Sequence, residues 1–171
     1  QQRAAGCYGH DFVKTPNIDA LAACGTRFST AYSSSPVCVP ARAVIATGKY
    51  IFETGYWDNC LAYEGRIRSW HHMLTENGMD VTSIGKLHYT REEDPFGFNR
   101  QINPMHIHDG VGDLRGSVKR PMAPPYRKWR GIERLGPGES TYTRYDSDIT
   151  DTACDFLREK AINPDDKPWA L

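Results

Sequence analysis

The chain has 171 residues, 39% hydrophobic and 25% charged, an ordinary soluble composition with length enough for one domain with a real core. Lys plus Arg and Asp plus Glu each number 21, so the formal net charge is zero. This excludes a broad cationic surface for nucleic acid or anionic membrane, but a local cluster of cations around a small anion needs no global excess. No apolar run approaches the roughly 18 residues of a spanning helix. No signal peptide is visible in a chain that starts at Gln1. The five cysteines (Cys7, Cys24, Cys38, Cys60 and Cys154) form no CxxC pair and no zinc spacing. Their odd number leaves at least one thiol without an intrachain partner, which reads either as a reducing, cytoplasmic compartment rather than a periplasmic or secreted one, or as a specialised role for one Cys.

In chain order, Gln1 to His10 reads as an irregular loop around Gly6 and Gly9. Asn17 is the expected N-cap of a helix carrying Ile18, Leu21 and Ala22 on one stripe, with Gly25 past its end. Thr26 to Tyr32 alternates weakly and is expected to form a strand, followed by a turn at Ser33-Ser34-Ser35-Pro36. Pro40 suits the first turn of the next helix, and Ala41 to Thr47 continues it to Gly48. Ser69 caps a helix that runs to Asn77, with Gly78 beyond. Asp80 to Ile84 is a short strand closed by Gly85. Arg91 to Thr143 is rich in Pro, Gly and charge without periodicity, and reads as an insertion-like ordered excursion. Asp146 to Lys160 is the clearest helix, with Ile149, Ala153, Phe156 and Leu157 on one face, and Lys167 to Leu171 resembles a strand entry. The alternation of helices and strands implies an α/β fold.

The chemistry concentrates at Cys38-Val39-Pro40-Ala41-Arg42. A cysteine at a helix N-terminus meets unpaired N–H groups and the positive end of the dipole. Arg42 lies one helical turn on, so its guanidinium is expected to reach back toward Cys38. A structural cysteine beside a surface arginine would show the same spacing, so the pair alone decides nothing.

The whole run, followed by Thr47-Gly48, resembles the signature of the sulfatase family. Three further segments are similar to that family: Gly6-Cys7-Tyr8-Gly9-His10 with Thr15-Pro16-Asn17-Ile18-Asp19, then Gly85-Lys86-Leu87-His88, then Asp166-Lys167-Pro168-Trp169. The resemblance implies the N-terminal part of an alkaline-phosphatase-like, three-layer α/β sandwich occupying residues 1–171, as a chain truncated at both ends. It implies that a separate formylglycine-generating enzyme oxidises Cys38 to formylglycine. The hydrated aldehyde, held by a divalent metal (usually Ca2+, with Mg2+ or Mn2+ as alternatives), then attacks a small-molecule sulfate ester. Unlike serine, a diol has an internal route for releasing the sulfate.

Carried over residue by residue, Cys38 is the nucleophile and a metal contact. Arg42 stabilises it, and Lys86 and His88 hold sulfate oxygens, with His88 also suited to proton transfer. Lys86 and His88, two apart, would face one way at a strand end. Asn59 resembles a pocket-lining position in related phosphonate and sulfate hydrolases, and His106 and His108 are candidates for the substrate mouth. His71 and His72 read as structural or surface residues of a helix. An Asp pair expected before Gln1, and an Asp, an Asn or His, and a catalytic His and Lys expected downstream, would complete the metal site and the catalytic set. The isolated chain is therefore expected to be inactive. The nearest rival is a phosphonate monoester or phosphodiester hydrolase of the same superfamily; Lys86 and His88, where that group tends to carry Tyr and Thr, favour sulfate. A cysteine phosphatase needs its Cys and Arg six apart, not four. A non-catalytic binding fragment is the reading from another class. The organic part of the substrate and the oligomeric state are not encoded in any motif.

Overall fold

A computed structural model describes residues 4–107, 136–163 and 167–171, which cluster into two compact units, Gln1–Ser33 and Ser34–Leu171.

In the first unit a short 3-10 turn, Gly6–Tyr8, precedes helix α1, Pro16–Cys24. The expected N-cap at Asn17 is corrected. Thr15 is the cap residue and Pro16 opens the helix, where its missing N–H costs nothing. Asp19 ties the unit together. Its Oδ1 accepts from the Cys7 N–H at 2.7 Å and from the Thr15 hydroxyl at 3.0 Å. The apolar stripe of α1 buries nothing in this structure, with Leu21 70% exposed. Thr26 to Tyr32 does not form the expected strand. A strand needs a ladder partner, and none of the described residues pairs with this segment.

In the second unit, helices α2 (Cys38–Thr47), α3 (Ile51–Thr54) and α4 (Trp70–Glu76) precede strand β1 (Asp80–Lys86). Strand β2 (Arg100–Met105), helix α5 (Thr141–Ile162) and strand β3 (Trp169–Ala170) follow. The sheet is parallel throughout, in the order β2-β1-β3, so both connections must cross over. The step from β1 to β2 uses the loop 87–99, and the step to β3 includes α5.

The strands and α5 differ from the sequence expectation, and helix α3 forms where none was expected. β1 does not close at Gly85. The strand runs on to Lys86 through a register shift between Ile84 and Lys86, with Gly85 at φ +90°. β2 forms inside the stretch that shows no periodicity. Asn103, at φ +50°, and Pro104 disguise it. Such a proline is tolerated because β2 lies at the edge of the described sheet. α5 starts at Thr141, five residues early, capped by Ser140, whose Oγ accepts from the Thr143 N–H at 3.1 Å. On α5, Phe156 is buried and stacks edge-on with Trp169 at 5.4 Å, whereas Leu157 is exposed. Tyr145 donates to the Asn103 carbonyl at 2.7 Å, and Lys160 pairs with Asp80 at 3.5 Å. These contacts tie the helix to all three strands of the described sheet.

The core is aromatic. Tyr63 is fully buried, with Tyr56, Tyr89, Phe96 and His71 set edge-on or tilted around it at 5.0–6.2 Å. Its hydroxyl donates to the Ile67 carbonyl at 2.5 Å. As expected, Ser69 caps α4, and its Oγ also lies 2.6 Å from Nδ1 of both His71 and His72. His71 is fully buried, stacks on Phe98 at 4.2 Å, and hydrogen-bonds the Phe96 carbonyl through Nδ1. A carbonyl only accepts, so Nδ1 carries the proton. Nε2 is a buried lone pair with no hydrogen-bond partner among the described residues. Charging this ring would bury an unpaired N–H, and burial accordingly lowers its pKa to about 4.

Two outcomes are expected. A methyl at position 85 would sit 2.7 Å from Ile149 Cδ1 on a left-handed backbone. Gly85→Ala should therefore cost about 2–4 kcal/mol, read by thermal unfolding. The neutral state of His71 contributes stability that is complete above its unfolded pKa of about 6.5. That stability falls as pH drops from 6.5 toward about 4, by on the order of 3 kcal/mol in total. The melting temperature of His71→Gln should be lower at neutral pH but flatter across that window.

Candidate active site

The candidate residues of the second unit meet where the start of α2 approaches the carboxyl end of β1. In open parallel sheets this is the end at which ligands bind. Cys38 is the first residue of α2 and is exposed. Val39 and Ala43 turn the other way and are buried, which fixes the face that Cys38 presents. Gly48, left-handed at φ 67°, ends the helix by donating to the Val44 carbonyl.

Arg42 corrects one expectation. Its guanidinium does not hydrogen-bond Cys38; Nη1 donates to the main-chain carbonyl of Lys86 at 2.5 Å. The arginine links the nucleophile helix to the strand end that carries the other candidate cation. Asn59 comes from the loop after α3. Its Oδ1 accepts from the Val39 N–H at 3.1 Å and lies 3.4 Å from Cys38 Sγ.

Lys86 and His88 do not follow simple strand alternation. Gly85 and His88 both adopt positive φ, +90° and +60°, and the His88 N–H donates to the Met105 carbonyl at 2.8 Å. His88 Nδ1 is buried without a hydrogen-bond partner among the described residues. Burial first, then the charges of Lys86, Arg42 and His106, hold its pKa below the usual histidine range. Those perturbing charges bring Arg42, Lys86, His88 and His106 into one electrostatic neighbourhood.

His106 follows β2. Its Nε2 lies 3.2 Å from Gln101 Oε1, and its ring stacks on Phe96 at 5.6 Å. Burial lowers its pKa, against the raising effect of Glu92, Asp94 and Glu93. His108 lies outside the described residues. His71 belongs to the core, as already described. Gln101, whose Nε2 donates to the Glu92 carbonyl at 3.0 Å, carried no sequence signal. Asp58, whose Oδ1 accepts the Cys60 N–H at 2.8 Å, could have been read as an Asx turn supporting Asn59.

Among the described residues no group of three or more His, Cys, Asp or Glu side chains converges to hold a metal. A hard cation such as Ca2+ takes about six to eight oxygen ligands, so the described side chains do not hold one by themselves. The exposed position of Cys38, in contrast, fits a residue that is to be chemically modified and to meet a substrate.

Helices against a parallel sheet, with the nucleophile candidate at a helix start and cations at a strand end, make an α/β architecture. The model of the sulfatase family matches residues 1–171, and the chain belongs to that family. The uncharacterized sulfatase YidJ of Escherichia coli K12 is 43% identical over 161 residues, covering 91% of this chain and 32% of the relative. Choline-sulfatase of Rhizobium meliloti is 35% identical over 168 residues, covering 94% and 33%. The crystal structure of phosphonate monoester hydrolase of Agrobacterium radiobacter matches with a TM-score of 0.64 at 22% identity, covering 99% of this chain and 37% of that one. This last likeness shows the fold alone. The chain spans about a third of the length of these relatives. The family implies a divalent metal and a formylglycine in general.

Because the charge of Lys86 lowers the His88 pKa, Lys86→Met should raise it. Titration of the His88 ring by NMR would show the midpoint moving toward about 6.5; an unchanged midpoint would remove Lys86 from the cluster.

Proposed function

We propose that this chain is the N-terminal part of the catalytic domain of a sulfate-ester hydrolase, and that it carries the nucleophile and part of the sulfate clamp. One observation carries this: Arg42, one turn after Cys38, is bonded to the carbonyl of Lys86, with His88 under the influence of both cations. The names of the two relatives, a sulfatase and a choline-sulfatase, support a sulfate ester as substrate.

In this scheme Cys38 is the residue that a formylglycine-generating enzyme converts. The hydrated aldehyde supplies a nucleophilic oxygen with an internal exit, and a divalent cation, Ca2+ by preference, supplies charge neutralisation beside it. The chain's own residues supply part of the remaining machinery. Arg42 holds the start of α2 against the end of β1, and Lys86 offers positive charge to a tetrahedral anion. His88, kept neutral by burial and by its cationic neighbours, can accept or donate a proton at its ring nitrogens. His106 and Asn59 line the approach, and the segment 91–143, with His108 in it, shapes the organic part of the substrate.

A phosphonate monoester or phosphodiester hydrolase is the second reading, since the chain shares its fold with such an enzyme. Mass spectrometry of the peptide around Cys38, from a host that modifies such motifs, should show formylglycine. The full-length enzyme should turn over an aryl sulfate faster than an aryl phosphonate. Cys38→Ala should abolish that turnover, and Lys86→Ala should lower kcat/KM by roughly a hundredfold or more. An unmodified thiol throughout would sink the sulfatase assignment, and faster phosphonate turnover would transfer it to the second reading.

A further inference from the structure

We infer that Asn59 is a positioning residue, the remote N-cap of the nucleophile helix, acting through its side-chain oxygen. The need for such a cap is written into α2. Val37 holds the extended N-cap conformation, φ −111° and ψ 141°, but has no side-chain acceptor. A cap oxygen normally takes the N–H of the second or third helical residue. The third is Pro40, which has none. Val39 therefore holds the one such N–H that needs an acceptor, and Asn59 Oδ1 meets it at 3.1 Å from twenty residues away.

The same oxygen lies 3.4 Å from Cys38 Sγ. An N–H and a thiol both donate, so the amide atom facing them is the oxygen. The contact orients the Cys38 side chain, and a hydroxyl on the same β-carbon could donate to the same oxygen. The loop that delivers Asn59 is fixed on both sides. Asp58 closes a turn on the Cys60 N–H at 2.8 Å, and Ala62 is buried in a cluster with Val39 and Ile107. Val39 is thus held by its side chain in that cluster and by its N–H on Asn59.

The kinetic part of this proposal rests on the sulfate-ester reading; the cap does not. The test uses the full-length enzyme with Asn59→Ala and Asn59→Asp, since aspartate keeps the acceptor oxygen. Amide hydrogen exchange is followed at Val39, and kcat and KM are measured on an aryl sulfate. Asn59→Ala should speed Val39 exchange tenfold or more and lower kcat tenfold or more, with KM changed less than threefold. Asn59→Asp should keep Val39 exchange within threefold of the parent. The proposal is overturned if Asn59→Ala leaves exchange within twofold and raises KM alone, the mark of a simple substrate contact. It is equally overturned if the folded Asn59→Asp loses the protection, a result that stands even if the alanine variant does not fold. Absent sulfate turnover in the parent with the exchange pattern intact would count against the sulfatase reading and leave the cap supported.

Discussion

The hydrogen bond from Arg42 to the carbonyl of Lys86 is the contact on which the candidate site depends. It joins the start of a helix to the end of a strand, two positions 44 residues apart in the chain. A guanidinium is a planar, always-charged fork with five donors, so one bond to a main-chain oxygen leaves other donors for an anion. The strand runs past Gly85 to Lys86, the residue whose carbonyl receives that bond. The register shift and the left-handed backbone at Gly85 carry Lys86 to the place where Arg42 meets its carbonyl. The side chain of Ile149 packs where a Cβ on residue 85 would be, so α5 presses on the same bend.

Around that junction the electrostatics are local. A chain of zero net charge places Arg42 and Lys86 close to two partly buried histidines, His88 and His106, both held below their usual pKa. Neutral imidazoles beside fixed cations suit an anionic ligand: the cations supply attraction, and the histidines supply proton acceptors and donors without further charge. His71 shares the low pKa but serves the core, where it binds Ser69 and the Phe96 carbonyl. A perturbed histidine is therefore no marker of function here until its neighbours are known.

Much of this was legible because the punctuation is local. Ser69 as a cap, Pro40 in a first turn, Gly48 after a helix and the long amphipathic α5 are all decided by a few adjacent residues. The two strand errors share one cause. Thr26 to Tyr32 has the alternation of a strand but no described partner. Arg100 to Met105 lacks alternation but has β1 beside it. Strands are made by pairing, and pairing is not local. Asn17 lost the cap to Thr15 because Pro16 suits the first helical position.

By itself the sequence determined the family and the identity of the chemical groups, because four ordered motifs with Cys38, Arg42, Lys86 and His88 are covalent facts. Only the tertiary structure decided what each group touches. It turned Arg42 from Cys38 to the Lys86 carbonyl, gave Asn59 to the Val39 N–H, and set His106 beside Gln101. The physical reason is that a side chain's type follows from the code, whereas its partner follows from which distant backbone the packing brings within about 3 Å.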